Sequence, residues 1–579
     1  MVTLRESFFR LKTATDVLET RLRRCLTVTD ITLLGVGHMI GAGIYVLTGS
    51  VVRNTAGPSI VISFALAGLA SFLSALCYAE FGARFPKAGS AYTYAYIGVG
   101  ELWAFIIGWN IILEHMLGAA AVARSWSGYL AALFGDSIRN STIITMKHFD
   151  ESLFADHPDL VAFSAVIAVT IFTGLGSKFS THFNSIFTVI NMLVIIFVVF
   201  YGFTFANFEF WSGFNAETGQ SYFFPYGIGG TLTGAASCFF AYIGFDGLAT
   251  AGEEASDPSR TIPLATFISM SVVTAAYILM SSALTLMIPF WQVNPTAAFS
   301  DAFARRGSTW AKYVVSVGAM SGMTTSLIGS LFALPRCVYA MAEDGLIFKT
   351  FGQVNVKTQV PLNAVVVFGA TTAIIAFLFD IETLVEFLSI GTLLAYTIVS
   401  ACVIVLRYRP TFSDDNICEG NGGLLKTWVP GERWLGVLEP GRLVLWCVFT
   451  MIFADVGISV IFATQFAHTT FGVIFLFIFG LVATMAFVLI CIHNQNNTEI
   501  SFRVPLVPLI PSISILINIL LMFHLAPVTW IRLVIWLAVG LTIYGSYGIN
   551  HSREAISDSG SVTKSTTYES MFTDTIPKL

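Results

Sequence analysis

The sequence predicts an all-α polytopic membrane protein, and three observations carry that prediction. Apolar residues make up 55% of the 579 and charged residues only 11%. Apolar stretches of roughly 20 residues, long enough to cross a bilayer as helices, recur from one end of the chain to the other. Two of these stretches are interrupted by glycines, at Gly35-Val-Gly-His-Met-Ile-Gly-Ala-Gly43 and Ala241-Tyr-Ile-Gly-Phe-Asp-Gly247, and each opens a run of about five spans.

In chain order the spans are expected to begin near Ile31, Ser59, Glu101, Leu160, His182, Thr231, Ala265 and Lys312, then Pro361, Glu382, Gly441, Thr469, Pro508 and Trp530. That makes 14 transmembrane helices. The polar segment 407–440, with Asp414, Asp415, Gly420, Gly422 and Gly423, separates ten from a last four. The expected organisation is a cytosolic tail 1–29, a ten-helix core 30–406, a cytosolic loop 407–440, four additional helices 441–550 and a cytosolic tail 551–579. Ten spans divide into two fives headed by broken helices 1 and 6, the pattern of a 5+5 inverted repeat. No sequence similarity between the halves is visible, so the repeat rests on the break positions.

An even number of crossings puts both termini on one side. With both ends in the cytosol, 22 Lys/Arg fall on inside segments and 7 on outside ones, leaving Arg124 within a span. That bias orients the chain. The first apolar run follows Arg21, Arg23 and Arg24 and is too long for a signal-peptide core, so an uncleaved start is expected. Asn140-Ser-Thr142 then lies outside and is a glycosylation candidate, whereas Asn496-Asn-Thr498 lies inside. The eight cysteines show no CxxC spacing, and Cys25 and Cys418 fall on the reducing side, so they read as packing residues or thiols. A net charge of −5 is small for this length, and no basic stretch is interleaved with aromatics, which argues against nucleic acid as a partner. No cofactor motif is present; the bilayer is the expected surrounding.

Hydrocarbon tolerates unwound backbone only where it lines a cavity. Paired breaks therefore indicate something polar bound between them, the arrangement of a secondary transporter. Gly37 and Gly41 also make a small-xxx-small packing face, and either segment alone reads equally well that way. An enzyme would need a nucleophile or metal-ligand constellation that does not stand out in the spans, and a channel would need a continuous polar pore. A nutrient sensor would share the fold and signal through its tails, which here are short and polar.

The residues carry a family resemblance. Gly37-His-Met-Ile-Gly-Ala-Gly-Ile-Tyr45 resembles the signature of the amino acid–polyamine–organocation superfamily. Phe240-Ala-Tyr-Ile-Gly-Phe-Asp246 through Gly252-Glu-Glu-Ala-Ser-Asp-Pro258 is similar to the cationic amino acid transporter family within it. So are Pro335-Arg-Cys-Val-Tyr-Ala-Met-Ala-Glu-Asp-Gly345, the proline ladder Val504-Pro-Leu-Val-Pro-Leu-Ile-Pro511 leading to Asn518, and the last span from Trp530 to Ser552. The resemblance runs from Leu26 to Ser552, and fourteen spans agree with that family.

It implies an L-amino acid held by its α-carboxylate and α-ammonium between the breaks. The carboxylate belongs at Gly41, Ala42 and Gly43, beside Ile40, where free amides begin a second half-helix. The ammonium belongs at the carbonyls of Phe240, Ala241 and Ile243, the negative end of a half-helix. Asp246 is expected to cap the following half-helix, and Phe245 either closes over substrate or is a core phenylalanine. Ser326, Gly329 and Ser330 form a small-residue strip that leaves room for a long side chain or serves helix packing.

Glu114, an acid inside a span, marks function. Characterised cationic transporters have serine there, so a bracing or coupling role is expected of it, and cationic selectivity competes with a neutral or broad range. Glu101 matches an acid important for transport in the family, or is a solvated charge at a helix start. Asn191 stands where proton-driven bacterial relatives carry a lysine and cannot titrate, so uncoupled transport is expected unless Glu114 titrates; no sodium site is apparent. Tyr568-Glu-Ser-Met571 resembles a tyrosine-based endocytic signal, with an adaptor as the implied partner. The expected address is the plasma membrane, with an endosomal, lysosomal or vacuolar membrane as the alternative.

Overall fold

The structure, a computed structural model, describes residues 10, 12, 26–41, 43–86, 89–134, 158–214, 221–295, 297–409, 411–412, 418–419, 422–426, 441–464, 466, 469–496, 500–525 and 527–554. Ala42, Asn140 and Tyr568 lie outside the described residues.

Apolar helices occupy every place where the sequence predicts a span. The first is α1, made of α1a (Val28–Met39) and α1b (Gly43–Asn54), followed by α2 (Ile60–Arg84), α3 (Glu101–Phe134), α4 (Leu160–Gly174) and α5 (Ser177–Phe203). The second run starts with α6, made of α6a (Gly227–Phe239) and α6b (Asp246–Thr250), followed by α7 (Pro258–Met287), α8 (Thr309–Glu343), α9 (Leu362–Leu378) and α10 (Ile381–Arg407). Four more complete the chain: α11 (Arg442–Ala463), α12 (Thr470–Cys491), α13 (Leu509–Phe523) and α14 (Pro527–Ile543), the last continued to His551. Between α10 and α11, strands β1 (Thr411–Phe412) and β2 (Cys418–Glu419) pair antiparallel.

Among the described residues 11 helices have the length and apolar composition to cross a membrane; α4, α9 and α13 are apolar but shorter. Helix starts follow capping chemistry rather than the onset of the apolar run. The first helix opens on a capping box, Thr27 Oγ1 accepting from the Asp30 amide at 3.3 Å while the Asp30 carboxylate accepts from the Thr27 amide at 2.9 Å. The seventh begins at Pro258, well before Ala265, because proline suits the first helical turn.

Both ends of the described chain reach one carboxylate. Glu101, fully buried at the start of α3, accepts from Ser552 Oγ at 2.7 Å and lies 3.5 Å from Arg10 Nη1. Its remaining donors are Tyr96 Oη at 2.8 Å and Tyr544 Oη at 2.9 Å. The two ends therefore share a face, as an even number of crossings requires and eleven alone would not deliver. Beside this cluster, Asp344 at the end of α8 binds Lys12 Nζ at 2.5 Å and Tyr92 Oη at 2.7 Å.

The last four helices attach to the first ten through polar seams. Ser74 on α2, Ser400 on α10 and Ser514 on α13 link hydroxyl to hydroxyl at 2.8 and 3.1 Å, with Asn518 Nδ2 3.2 Å from Ser74 Oγ. Such small polar side chains bind helices where apolar burial gives no preference between lipid and protein. The proline ladder threads its Val504 amide onto Glu80 at 2.7 Å, and Glu80 in turn holds Arg407 by two 2.7 Å contacts. Trp109 on α3 and Trp536 on α14 stack at 4.5 Å, each indole donating to the other's backbone carbonyl at 3.0 and 3.1 Å. Arg124, inside α3, turns to the end of α9, donating to the carbonyls of Ala376 at 2.7 Å and Phe377 at 2.9 Å.

Candidate functional site

The two breaks meet in the middle of the fold. At the first, α1a stops at Met39, Ile40 leaves helical geometry at φ −81 ψ 87, and the chain resumes at Gly43 as a π-turn. At the second, a 3-10 turn over Phe240–Tyr242 ends at Ile243 (φ −60, ψ 134), and Gly244 takes φ +120, which a side chain would strain. Backbone touches backbone here: a Cβ on Gly43 would lie 2.5 Å from Ala241 Cβ and 2.6 Å from Ala241 Cα. From α7, Tyr277 Oη reaches across both breaks, 2.8 Å from the carbonyl of Met39 and 2.8 Å from that of Ala241.

Unwinding leaves backbone groups that need partners, and neighbouring helices supply them. The Asn191 amide on α5 accepts from Tyr45 Oη at 2.6 Å and donates to the Ile40 carbonyl at 3.4 Å, bracing the two sides of the first break. On α8, Thr325 Oγ1 donates to the Gly37 carbonyl at 3.0 Å and Ser326 Oγ to that of His38 at 2.9 Å. Asn191 thus acts as a structural brace at the position where a coupling residue was in question.

A small cavity lies between the breaks. Met39 and Gly43 border it from the first, Phe240, Ile243 and Gly244 from the second. From α3 come Glu114, His115, Gly118 and Val122, from α8 Ser326 and Ser330, and from α10 Leu388. Glu114 is 3% exposed and its Oε1 has no hydrogen-bond partner among the described residues. Asp246 is as buried, its Oδ1 likewise unpartnered, while its Oδ2 stands 4.0 Å from His115 Nε2. Glu114 thus borders the cavity with an unmet acceptor, and Asp246 stands behind the wall residue His115; a buried acceptor left unpaired is costly unless a ligand's donor meets it, which makes the Glu114 side of the cavity an acidic site.

The structure brings together Gly43, Phe240, Ile243, Ser330 and Glu114 at the cavity wall, with Ala241 directly behind Gly43. Several sequence expectations change. The Gly41 amide turns back onto the Met39 carbonyl at 3.0 Å, and Gly41 and Ile40 do not line the cavity. The Phe240 carbonyl accepts from the Ile243 amide at 3.2 Å, so it and Ala241 enter the site with one lone pair engaged. Phe245 takes the cap position in helical geometry, while the Asp246 carboxylate lies against the backbone amides of Gly244, Asp246 and Gly247 at the start of α6b, with its Oδ2 4.0 Å from His115 Nε2. Phe245 packs behind the site between Tyr78 and Tyr396, ring centroids 5.5 and 4.7 Å away, and Phe240 is the phenylalanine at the wall.

Glu101 is not solvated but clasped by four partners far from the cavity. Glu114 sits at the wall and also hydrogen-bonds Thr392 on α10. Sequence reasoning missed His38 and His115, whose rings stand 6.1 Å apart at the cavity. The signal was present, because ionisable side chains inside spans face the bundle interior and mark pathways.

A polytopic helical protein whose two broken helices enclose a polar, acidic cavity is built as a secondary transporter. Comparison with known proteins agrees. A family model described as amino acid permease matches residues 26–483, and a second, for the C-terminus of the permease, matches residues 502–552. Cationic amino acid transporter 4 of Homo sapiens is 42% identical over 94% of this chain and 90% of its own length. The Mus musculus protein of the same name is 43% identical over 93% and 89%. The mitochondrial cationic amino acid transporter 3 of Arabidopsis thaliana is 36% identical over 92% of both. The chain belongs to the amino acid permease family and, within it, to the cationic amino acid transporters.

Proposed function

We propose that the protein moves L-amino acids across the membrane by alternating access around the cavity between the two breaks, preferring cationic side chains and using no sodium. The observation that carries this reading is the buried carboxylate of Glu114 at the cavity wall, with one oxygen left without a partner among the described residues, backed by the buried Asp246 behind the wall residue His115. A substrate's cationic head meets that acceptor and is attracted strongly in a low-dielectric site. The α-carboxylate sits at Gly43, where α1b starts and its dipole is positive. The α-ammonium sits at the carbonyls of Ala241 and Ile243. All fourteen apolar helices cross the membrane in this reading, which restores the even number that the shared face of the two ends requires.

Asn191 as a brace supports uncoupled transport, with substrate following its own electrochemical gradient. The termini are cytosolic by the Lys/Arg bias, Asn140 then lies outside as a glycan acceptor, and the plasma membrane is the proposed address, with Tyr568 read by an adaptor. A tagged chain carrying Tyr568→Ala, followed by microscopy, tests that address: unchanged distribution removes the adaptor. The central test is uptake of labelled arginine, lysine, ornithine, alanine and leucine into proteoliposomes, with and without a pH gradient. Uptake of the three cationic amino acids independent of the proton gradient is expected. Equal uptake of alanine and leucine refutes the cationic preference. Agmatine, which lacks the carboxylate, should compete poorly with arginine; equal competition refutes the carboxylate position.

A further inference from the structure

Three glycines from two different helices converge on one imidazole. A Cβ would stand 3.0 Å from His38 Cγ if built on Gly244, 2.7 Å from Nδ1 if built on Gly247, and 2.8 Å from Cγ if built on Gly329. The ring tip is tied as well, Nε2 lying 3.1 Å from Ser330 Oγ. His38 is 7% exposed, and what it still presents belongs to the cavity wall, on the side where Glu114 and His115 stand.

The small residues of α8 take on a different meaning in this setting. They were expected either to leave room beside the substrate for a long side chain or to serve helix packing. The room exists, and the protein fills it with its own imidazole: Gly329 lies beneath the ring, Ser330 bonds its nitrogen, and Ser326 holds the backbone carbonyl of the same residue at 2.9 Å. Three missing side chains and one hydrogen bond fix the ring, so it acts as a rigid wall, because packed interiors yield little to an extra methylene.

We infer that His38 is a specificity-determining residue that walls the cavity on the side of Glu114 and His115, the side toward which a cationic side chain would extend. The site therefore takes a short cationic side chain ending in an ammonium, as in ornithine, ahead of the longer guanidinium of arginine. This rests on the amino acid pocket proposed above and adds the limit on side-chain length. One methylene of misfit in a shaped pocket discriminates by about 10- to 200-fold, which sets the size of effect to look for.

The test uses the full-length chain in proteoliposomes, with labelled lysine as tracer and inhibition constants measured for ornithine and arginine. His38→Ser removes the wall, and the ratio of the arginine constant to the ornithine constant should fall about tenfold or more. Gly329→Ala acts in the opposite direction: its methyl presses the ring into the cavity, and the ratio should rise. Should His38→Ser elute as aggregate in size-exclusion chromatography, Gly329→Ala decides. A ratio unchanged in a variant that still transports lysine overturns the inference and leaves the pocket standing. A wild-type protein that takes up none of the three amino acids overturns the pocket itself.

Discussion

Gly43→Ala adds a single methyl where the two breaks touch. That Cβ would lie 2.5 Å from Ala241 Cβ and 2.6 Å from Ala241 Cα, whereas ordinary contact begins near 3.4 Å, so the breaks have to part by about 0.9 Å. Neither obstructing atom can rotate away, because one is backbone and the other is fixed to it. Overpacking of this kind costs about 1–3 kcal/mol of stability, which a large helical bundle survives. A misplacement of roughly 1 Å at a site that must hold its ligand costs about a hundredfold in rate, equivalent to about 2.7 kcal/mol. Initial-rate uptake of labelled lysine into proteoliposomes, at equal reconstituted protein, should therefore fall about a hundredfold while the size-exclusion peak stays monodisperse. Adding Ala241→Gly removes the 2.5 Å contact but leaves the 2.6 Å one, so it should recover part of the loss. Uptake by Gly43→Ala within about threefold of wild type would refute the close approach of the breaks.

Glu114→Gln should weaken arginine and lysine uptake by at least about tenfold and alanine uptake little; loss of all three alike, together with folded protein, would return Glu114 to a bracing role. For the driving force, a potential of 100 mV contributes about 2.3 kcal/mol per unit charge, so valinomycin-imposed potential should accumulate lysine about fiftyfold and a proton gradient at zero potential should not; the reverse result would refute uncoupled transport. Asn191→Ala leaves Tyr45 Oη and the Ile40 carbonyl without a side-chain partner, which should lower stability by about 1–3 kcal/mol in a thermal-shift assay; an unchanged Tm would show the brace to be dispensable.

The positions and order of the helices were legible in the sequence because composition and length decide them locally. Both breaks were legible too, since glycine clusters inside apolar runs are local signals. What faces the cavity was not. Rotation of α3 about its axis decides that Glu114 and His115 line it, and that rotation depends on which helices pack around it. Tyr277 bridges Met39 and Ala241 across long stretches of chain, a contact no local periodicity encodes. Phe240 and Phe245 are equally apolar, and only the turn between them sends one to the wall and the other to Tyr78 and Tyr396. Glu101 was ambiguous for the same reason: its donors Tyr544 and Ser552 stand at the opposite end of the sequence.

Because Arg10 and Ser552 converge on Glu101, the folded polypeptide is mechanically a ring whose two ends are tied at one knot. The knot is also the first residue of α3, an unbroken helix from Glu101 to Phe134, and Glu114 lies about 20 Å further along the same rod. The point where Arg10 and Ser552 meet is thus one continuous helix away from the acidic cavity.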